Sequence, residues 1–313
     1  MKKTFTLCLL SLFLGSTLSG CLSDGFSNNE DDISIYSPNW TKGDFWEYSV
    51  KTSNLEVSTT MVVTIDNDAT DYYIGAGSLE DAKRHAVLNH NPALGRVQMS
   101  DYSVYENNQP QKIIDFPLKN SKSWSFSLYG EDEFVASVIG IENGLAEISA
   151  VSNTGARISY IFSQEARWFS YFEFNNANGE TVLSMELANY GTGFTGNAYF
   201  CRGGDLYDKE FEGPDLELYD TAYISEGHQR YGNWNYILYY IETDIGSSGG
   251  GELVLRDHES AAIETLVFNS GTKQRIEGTV EGSSGNWTLE ISLSGDSYVR
   301  ARIAGAIQYT YAV

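Results

Sequence analysis

The chain has 313 residues, of which 42 are acidic and 20 are lysine or arginine, so its formal net charge at pH 7 is −22. Nucleic acids and anionic lipid headgroups are bound by basic surfaces, and this composition therefore excludes nucleic-acid binding and disfavours contact with anionic headgroups. The acids are dispersed, which is typical of a solvated surface. The length is sufficient for two hydrophobic cores.

Residues 1–20 have the three parts of a secretory signal. Lys2 and Lys3 form the charged region, and an apolar stretch from Phe5 to about Leu14 precedes a run of small residues. The apolar stretch is shorter than the about 20 residues that a membrane-spanning helix needs. The sequence therefore predicts a targeting segment and not a transmembrane anchor.

This segment ends in Leu-Ser-Gly-Cys, residues 18–21, which resembles the lipobox of prokaryotic (bacterial or archaeal) surface lipoproteins. In that family the cysteine is lipidated on sulfur and becomes the new N-terminus. The resemblance implies cleavage between Gly20 and Cys21, a lipid on Cys21, and a membrane-anchored protein that faces the cell surface or the periplasm. The alternative is an ordinary signal peptide that is cut nearby and leaves Cys21 as a free thiol.

Residues 21–37 are rich in Ser, Asn, Asp and Glu and have few apolar side chains, which predicts a flexible, polar and acidic tether. Cys8 would be lost with the signal and Cys21 would be lipidated, so Cys201 remains as a single cysteine. We therefore expect no intrachain disulfide, and the fold must be stabilised by its apolar cores.

Beyond the tether, the periodicity of the sequence is that of β-strands. Apolar and polar residues alternate in residues 123–128 (Ser-Trp-Ser-Phe-Ser-Leu) and in residues 287–293 (Trp-Thr-Leu-Glu-Ile-Ser-Leu), as in strands with one buried and one solvated face. Turns rich in Gly, Asn and Asp separate such runs. We predict an all-β, mainly antiparallel protein, with a curved sheet or sandwich followed by a β-sandwich or jelly-roll-like domain.

One segment departs from this pattern. Ser78 with Asp81 three residues later makes a candidate capping box, and Pro92 would end a helix that begins there. The sequence predicts one short helix near residues 79–89.

Glycines cluster on both sides of Cys201, where the aromatic-rich first half gives way to an acidic stretch. We place a domain boundary there, with a β-rich domain over residues 38–200 and a β-sandwich domain over residues 201–313.

The first domain opens with a pattern that is similar to the first strand of β domains in prokaryotic surface lipoproteins. Its residues are Trp40, Gly43, Asp44, Trp46 and Tyr48. The meander after it resembles the half-barrel of periplasmic lipoprotein carriers, and the second domain resembles jelly-roll modules such as pre-peptidase C-terminal domains. These resemblances imply a fold and no functional positions.

Two glycine motifs match known fingerprints without their context. Gly191 to Gly196 fit the dinucleotide pattern and Ser248 lies in a G-x-S-x-G pattern, but both sites require a following helix. The residues after each motif have the pattern of strands or turns. We expect a glycine-rich connection at the first motif and a hairpin loop at the second.

The sequence gives only a weak indication of a metal site. Asp66, Asp68 and Asp71 could offer oxygens to a structural Ca²⁺ ion, but the series lacks the glycine and distal glutamate of an EF-hand loop, so a solvated turn is favoured. The four histidines have no metal-ligand spacing. We predict no cofactor, with Ca²⁺ as the minority alternative.

Residues 232–243 suggest recognition, because both faces of the predicted strand are apolar or aromatic. Trp234, Tyr236 and Tyr240 would share one face, where they could form a wall of rings for a sugar or peptide ligand. The alternative, which we favour, is burial under the other domain or a loop.

No convergent set of catalytic residues is visible in the sequence. We therefore predict a non-enzymatic binding or surface-interaction module, with a glycan or a cell-surface protein as its partner. A carrier or chaperone for an apolar ligand would instead show an apolar cavity in the first domain, and a hydrolase would show a cluster of buried acids and histidines in a cleft.

Overall fold

The structure is a computed structural model in which the described residues are 33–53, 59–85, 91–228 and 231–312, without the side chains of residues 202–205 and 228. The signal segment, Gly20 and Cys21 lie outside the described residues, so lipidation stays a prediction. Among the described residues, no helix is long and apolar enough to cross a membrane.

The first half of the chain contributes short and medium strands and one helical segment. They are β1 (Ser34–Ile35), β2 (Phe45–Thr52), β3 (Thr59–Asn67), β4 (Asp71–Ala76), α1 (Leu79–Lys83), β5 (Gly95–Gln98), β6 (Val104–Glu106), β7 (Gln109–Gln111), β8 (Leu118–Lys119), β9 (Ser123–Leu128), β10 (Glu131–Glu142), β11 (Leu145–Ser152), β12 (Arg157–Ser163), β13 (Trp168–Asn175) and β14 (Thr181–Gly191).

The second half contains two much longer strands. Its elements are β15 (Gly196–Ile224), β16 (Gly227–His228), β17 (Gly232–Asn233), β18 (Tyr236–Ile245), β19 (Gly250–Arg256), β20 (Ala262–Phe268), β21 (Lys273–Glu281) and β22 (Gly285–Tyr311). Every pairing between described strands is antiparallel. The predicted all-β, antiparallel fold class is confirmed.

Twelve strands of the first half form one continuous sheet in the order β7-β6-β5-β4-β3-β2-β14-β13-β12-β11-β10-β9. Strands β1 and β8 form a separate pair. The sheet curls until its edge strands β7 and β9 contact each other. The Ser127 amide, in β9, donates a 2.7 Å hydrogen bond to the side chain of Gln111 in β7. This closure surrounds an apolar core.

The first paired strand of the protein begins at an earlier residue than the sequence predicted. Ser34–Ile35 pairs with Leu118–Lys119, and the Ile35 side chain is buried. Residues 34–37 were expected to belong to the tether, but the isoleucine provides an apolar anchor. The ordered fold therefore begins at least four residues before residue 38.

Aromatic rings fill the interior of the first sheet. The Trp40 indole lies at the centre, with ring centroids of four neighbours 4.6–5.4 Å away. Those neighbours are Trp46, Tyr72, Tyr102 and Trp168. Side chains therefore fill the space inside the curled sheet.

The opening aromatic pattern has a structural role here. The indole N–H groups of Trp40 and Trp46 and the hydroxyl of Tyr48 donate hydrogen bonds of 2.7–2.9 Å to backbone carbonyls within residues 166–169. Three large side chains are thereby buried with their polar atoms satisfied. The pattern joins β2 and the segment before it to the turn before β13 and to the start of that strand.

Asp44 fixes the same turn through charge. Its buried carboxylate accepts hydrogen bonds from the Thr41 amide and from Arg167 Nη1, both at 2.8 Å. Gly43 has φ = +86°, a backbone conformation that glycine adopts at low cost. The glycine and the aspartate together shape the turn that places Trp40 in the core.

The second half is a β-sandwich whose two sheets share a long ribbon of β15 and β22. One sheet has the order β15-β22-β19-β20 and the other the order β15-β22-β18-β21. The apolar side chains between the sheets form a second core. The predicted β-sandwich is confirmed in this half.

The ribbon passes from one sheet to the other at a pair of irregular positions. In β15 the register shifts between Pro214 and Leu216, and Asp215 has φ = +55°. In β22 the facing Gly295 has φ = +72°, and its amide donates a 2.8 Å hydrogen bond to Asp215 Oδ1. The two residues let both strands bend together.

The two cores meet at a group of polar and aromatic side chains that includes Lys42, Asp66, Tyr231 and Tyr309. Lys42 Nζ, in the first half, lies 2.9 Å from the Tyr309 hydroxyl and 3.3 Å from the Asp66 carboxylate, and Tyr231 donates to Asp66 at 3.0 Å. These contacts join residues 33–313 into one compact unit. Cys201 lies between the residues of the two cores along the chain, and a domain boundary there, with independent folding of the two parts, stays a prediction.

The predicted helix is present and begins as expected. Ser78 is the N-cap, and its hydroxyl accepts a hydrogen bond from the Asp81 amide at 3.1 Å. The α-helical part, Leu79–Lys83, is shorter than the predicted 79–89. Residues 86–90 lie outside the described residues.

Candidate functional site

The three aromatic residues that could have formed an exposed wall are largely buried, which is the alternative that the sequence favoured. Trp234 and Tyr240 are only 5% and 3% exposed, and Tyr236 is half-buried. Of the two alternatives that the sequence left open, the structure shows burial. These three residues therefore do not offer a ring surface to a ligand.

Trp234 also lies on a different face from the one expected. Strand β18 begins at Tyr236, so its alternation does not extend back to Trp234. The indole enters the core between the two sheets and covers Gly305. Its N–H donates a 2.9 Å hydrogen bond to the Ser225 carbonyl.

Tyr236 and Tyr240 face the first half of the chain. Tyr240 belongs to a small apolar cluster that Leu79 of α1 and Cys201 cover. The Tyr236 ring lies 6.1 Å from the ring of Tyr199. This outer face of β18 is therefore an internal contact between the two halves.

The acidic turn around Asp68 is satisfied by the protein itself. Backbone amides of Thr70 and Asp71 donate to Asp68 Oδ1 at 2.8 Å each. Partial burial would raise the pKa of Asp68, but these hydrogen bonds outweigh it and lower the pKa to about 2. The Asp66 carboxylate is paired with Lys42. Within the described part of the chain, no group of three or more His, Cys, Asp or Glu side chains could hold a metal ion.

The glycine motifs connect strands. Gly191 ends β14 and Gly196 begins β15, while Ser248 lies in the turn between β18 and β19. Each motif is therefore followed by a strand, as the sequence indicated. Cys201 is half-buried against apolar side chains of the first core, and this burial raises the pKa of its thiol to about 12, which is typical of a structural cysteine.

The most exposed rings of the second half lie elsewhere, on β15. Tyr219 and Tyr223 are 66% and 67% exposed and point outward from the sheet β15-β22-β19-β20. They are four residues apart on one strand face, so their Cα atoms are about 13 Å apart. Thr221 lies between them on the same face.

Polar side chains adjoin these rings on the neighbouring strands. Tyr219 pairs with Glu290 and Thr221 pairs with Thr288 in β22, while Arg256 of β19 lies opposite Thr288. Arg256 Nε donates a 3.1 Å hydrogen bond to Glu290 Oε1. We call this surface the tyrosine face; its members are Tyr219, Thr221, Tyr223, Arg256, Thr288 and Glu290.

The tyrosine face combines two kinds of contact that suit a sugar chain. Exposed phenol rings offer apolar contact area at low entropic cost. The threonine hydroxyls and the half-buried ion pair between Arg256 and Glu290 offer donors and acceptors to hydroxyl groups. These six residues provide binding groups, without a nucleophile and a general base in hydrogen-bond contact.

The sequence contains a signal for this face in its alternation. In residues 216–224, Leu216, Leu218, Ala222 and Ile224 fall on one side and the two tyrosines on the other. The composition of this stretch by itself indicates only an acidic region at the predicted domain boundary. The alternation of apolar and polar residues, and not the charge of the stretch, predicts that the two tyrosines face outward.

A small cavity of about 10 Å³ lies inside the sandwich, under the tyrosine face. Its lining includes Tyr207, Ala222, Leu255, Leu289 and Ala301. Such a volume holds about one water molecule. It therefore offers no room for an organic ligand.

No known family model matches the chain, and no curated protein matches it. Among solved structures, it is similar to a protein of Bacillus endospore appendages, a family of disulfide-linked pili, at 13% identity over 41% of this chain and 99% of the other, with a TM-score of 0.20. It is also similar to an exo-β-1,3-galactanase from Phanerochaete chrysosporium at 7% identity over 82% and 68%, with a TM-score of 0.20.

A third similar structure is SGBP-B of the Bacteroides ovatus mixed-linkage glucan utilization locus, in complex with a heptasaccharide. The identity is 8% over 86% of this chain and 92% of the other, with a TM-score of 0.15. Likenesses at these TM-scores support no transfer of function to this chain.

Proposed function

We propose that the protein is a lipid-anchored, extracytoplasmic, non-enzymatic binding module that recognises a neutral glycan through the tyrosine face. The observation that supports the proposal is the pair of tyrosines, 66% and 67% exposed, beside the Arg256–Glu290 ion pair on an open sheet. Solitary exposed rings are common on protein surfaces. Two rings aligned along one strand with polar groups beside them are typical of a binding surface.

The charge of the chain favours a neutral ligand. With a net charge of −22, the surface repels polyanions such as acidic polysaccharides. The packed interior of the first sheet, with Trp40 at its centre, favours a surface-binding role over the carrier alternative. A glycan on the tyrosine face requires no cavity.

Binding by the tyrosine face can be tested with the double variant Tyr219→Ala/Tyr223→Ala. We expect binding to a panel of neutral glycans to weaken about tenfold or more, because both stacking surfaces are lost. Thermal melting should be unchanged, since truncating exposed rings leaves no cavity. Glycan-array binding and calorimetry measure the two effects.

The matched control is Tyr36→Ala, which removes a tyrosine of 69% exposure from the first half of the chain. It should leave glycan binding unchanged. Equal binding by the double variant and the unchanged protein would refute the role of the tyrosine face.

The anchoring proposal rests on the lipobox-like residues 18–21. Replacing Cys21 with Ser should abolish labelling by a radioactive fatty acid and move the protein from the membrane fraction to the soluble fraction, because the acyl chains provide the attachment. Fractionation and autoradiography measure both effects. Unchanged membrane partition of the variant would contradict lipid anchoring.

A further inference from the structure

Strand β15 has a free edge next to the tyrosine face. After Tyr199, which pairs with Ala76 of β4, its described residues pair only with β22. Residues 216–224 keep an uninterrupted register with β22. Over these nine residues, about 30 Å of backbone, the N–H and C=O groups of alternate residues therefore face outward, where another strand could pair with them.

The part of β15 before the bend has the features that usually protect a free edge. Gly213, Pro214 and the bulge at Asp215 interrupt its pairing groups. Residues 216–224 contain no proline, lysine or arginine, and their outward side chains include the exposed Tyr219 and Tyr223. Residues 216–224 therefore lack the proline, lysine and bulge that usually block strand addition.

The charge of residues 216–224 determines which kind of strand could pair with this edge. Residues 215–224 contain three acidic residues, Asp215, Glu217 and Asp220, and no lysine or arginine, and Asp220 is paired with Lys209 at 2.6 Å. A second copy of this chain would bring an edge without lysine or arginine against Glu217. Self-pairing is therefore disfavoured, and a basic strand is favoured.

The side chains of the edge define the pattern of the partner. On the inner side, Leu216 and Leu218 are half-buried and would be covered by apolar residues of an added strand. On the outer side, Glu217 and the two tyrosine rings would contact cationic side chains. Alternate positions of the partner are therefore apolar and basic.

We propose that residues 216–224 of β15 are a docking edge for an extended segment of another protein in which basic and apolar residues alternate. The segment would add as a further strand of the sheet. The two proposals share Tyr219 and Tyr223, but strand addition also uses the backbone edge and Glu217, which a glycan on the outer face does not need.

The probe is a labelled nonapeptide of alternating lysine and valine, mixed with the full chain at low ionic strength. We expect Glu217→Lys to weaken its binding at least tenfold, and hydrogen exchange of residues 216–224 to slow when the peptide binds. The matched control is Glu252→Lys, on the same sheet face but two strands away from the edge, with Ser292 between them. It should leave peptide binding unchanged.

A peptide of the same composition, with lysines and valines in two blocks, should bind at least tenfold more weakly, because its side chains cannot match both faces of the edge. Equal binding of the block peptide would show simple charge attraction and overturn the proposal. Unchanged exchange in residues 216–224, or self-association of the chain through this edge in sedimentation experiments, would also overturn it.

Discussion

Replacing Trp234 with alanine is expected to lower the free energy of unfolding by about 3–5 kcal/mol, the usual cost of removing a core aromatic side chain. The indole is 5% exposed, packs between the two sheets and satisfies its N–H through the Ser225 carbonyl. Chemical denaturation of the full chain measures the loss. A change within about 0.5 kcal/mol would contradict the burial of this residue.

A double-mutant cycle with Gly305 tests the same packing more directly. A Cβ atom at residue 305 would overlap the Trp234 ring, so Gly305→Ala alone should cost about 1–3 kcal/mol. In the Trp234→Ala background the added methyl group occupies space that the indole has left. The two losses should therefore be less than additive, by about 1 kcal/mol or more.

The matched control is Tyr219→Ala, which removes an exposed ring from the same half of the chain and should change stability by less than about 0.5 kcal/mol. If both alanine variants lost equal stability, the distinction between a buried Trp234 and an exposed Tyr219 would be wrong.

The strand content of the protein could be predicted because alternation is a local property. Residues 123–128 form β9, and the alternating residues 287–293 lie within β22, both as expected. The start of α1 was predictable for the same reason, since the Ser78 cap requires only the next few residues. Short-range patterns fix which elements form.

Long-range geometry could not be obtained from the same patterns. Trp234 was assigned to the wrong face because the sequence does not show that β18 begins at Tyr236. The pairing of residues 207–224 with residues 285–303, and the shared bend at Asp215 and Gly295, join positions about 80 residues apart. A single sequence contains no direct signal for such pairings.

The same limit applies to the candidate site. The outward direction of Tyr219 and Tyr223 follows from alternation, but their exposure depends on the absence of a strand or loop above them. Conversely, Tyr240 has an equally suitable pattern and is covered by Leu79 from the distant helix α1. Which aromatic face is free is decided by tertiary packing.

The second large expected effect is a dependence of the protein's stability on pH, which arises from His85. The side chain is 1% exposed, and in the part of the chain that the structure describes neither ring nitrogen has a hydrogen-bond partner. Burial, and to a smaller extent the charge of Arg84, lower the pKa of His85 from 6.5 to about 3. The folded protein therefore holds this imidazole neutral while the unfolded chain protonates it below pH 6.5.

The sign of the effect follows from proton binding. Between pH 6.5 and about 3 the unfolded state binds a proton at His85 that the folded state does not, so the stability of the folded state falls as the pH is lowered. From pH 6.5 to pH 4.5 this single group is expected to cost about 2 kcal/mol. Well above pH 6.5 both states hold the imidazole neutral, and this loss of stability is absent.

Replacing His85 with leucine should remove that loss, because the new side chain fills a similar volume and binds no proton. Denaturant unfolding at pH 7, 6, 5 and 4.5 measures the free energy of unfolding of both proteins. The difference between the two proteins isolates the contribution of His85, because the carboxylates that titrate in the same range contribute equally to both. His258→Leu, at an exposed histidine, controls for the removal of an imidazole as such. If the stability of the His85→Leu variant and of the unchanged protein fell in parallel with pH, the buried imidazole would have to be protonated or hydrogen-bonded in the folded state, and the packing around α1 would differ from the one described.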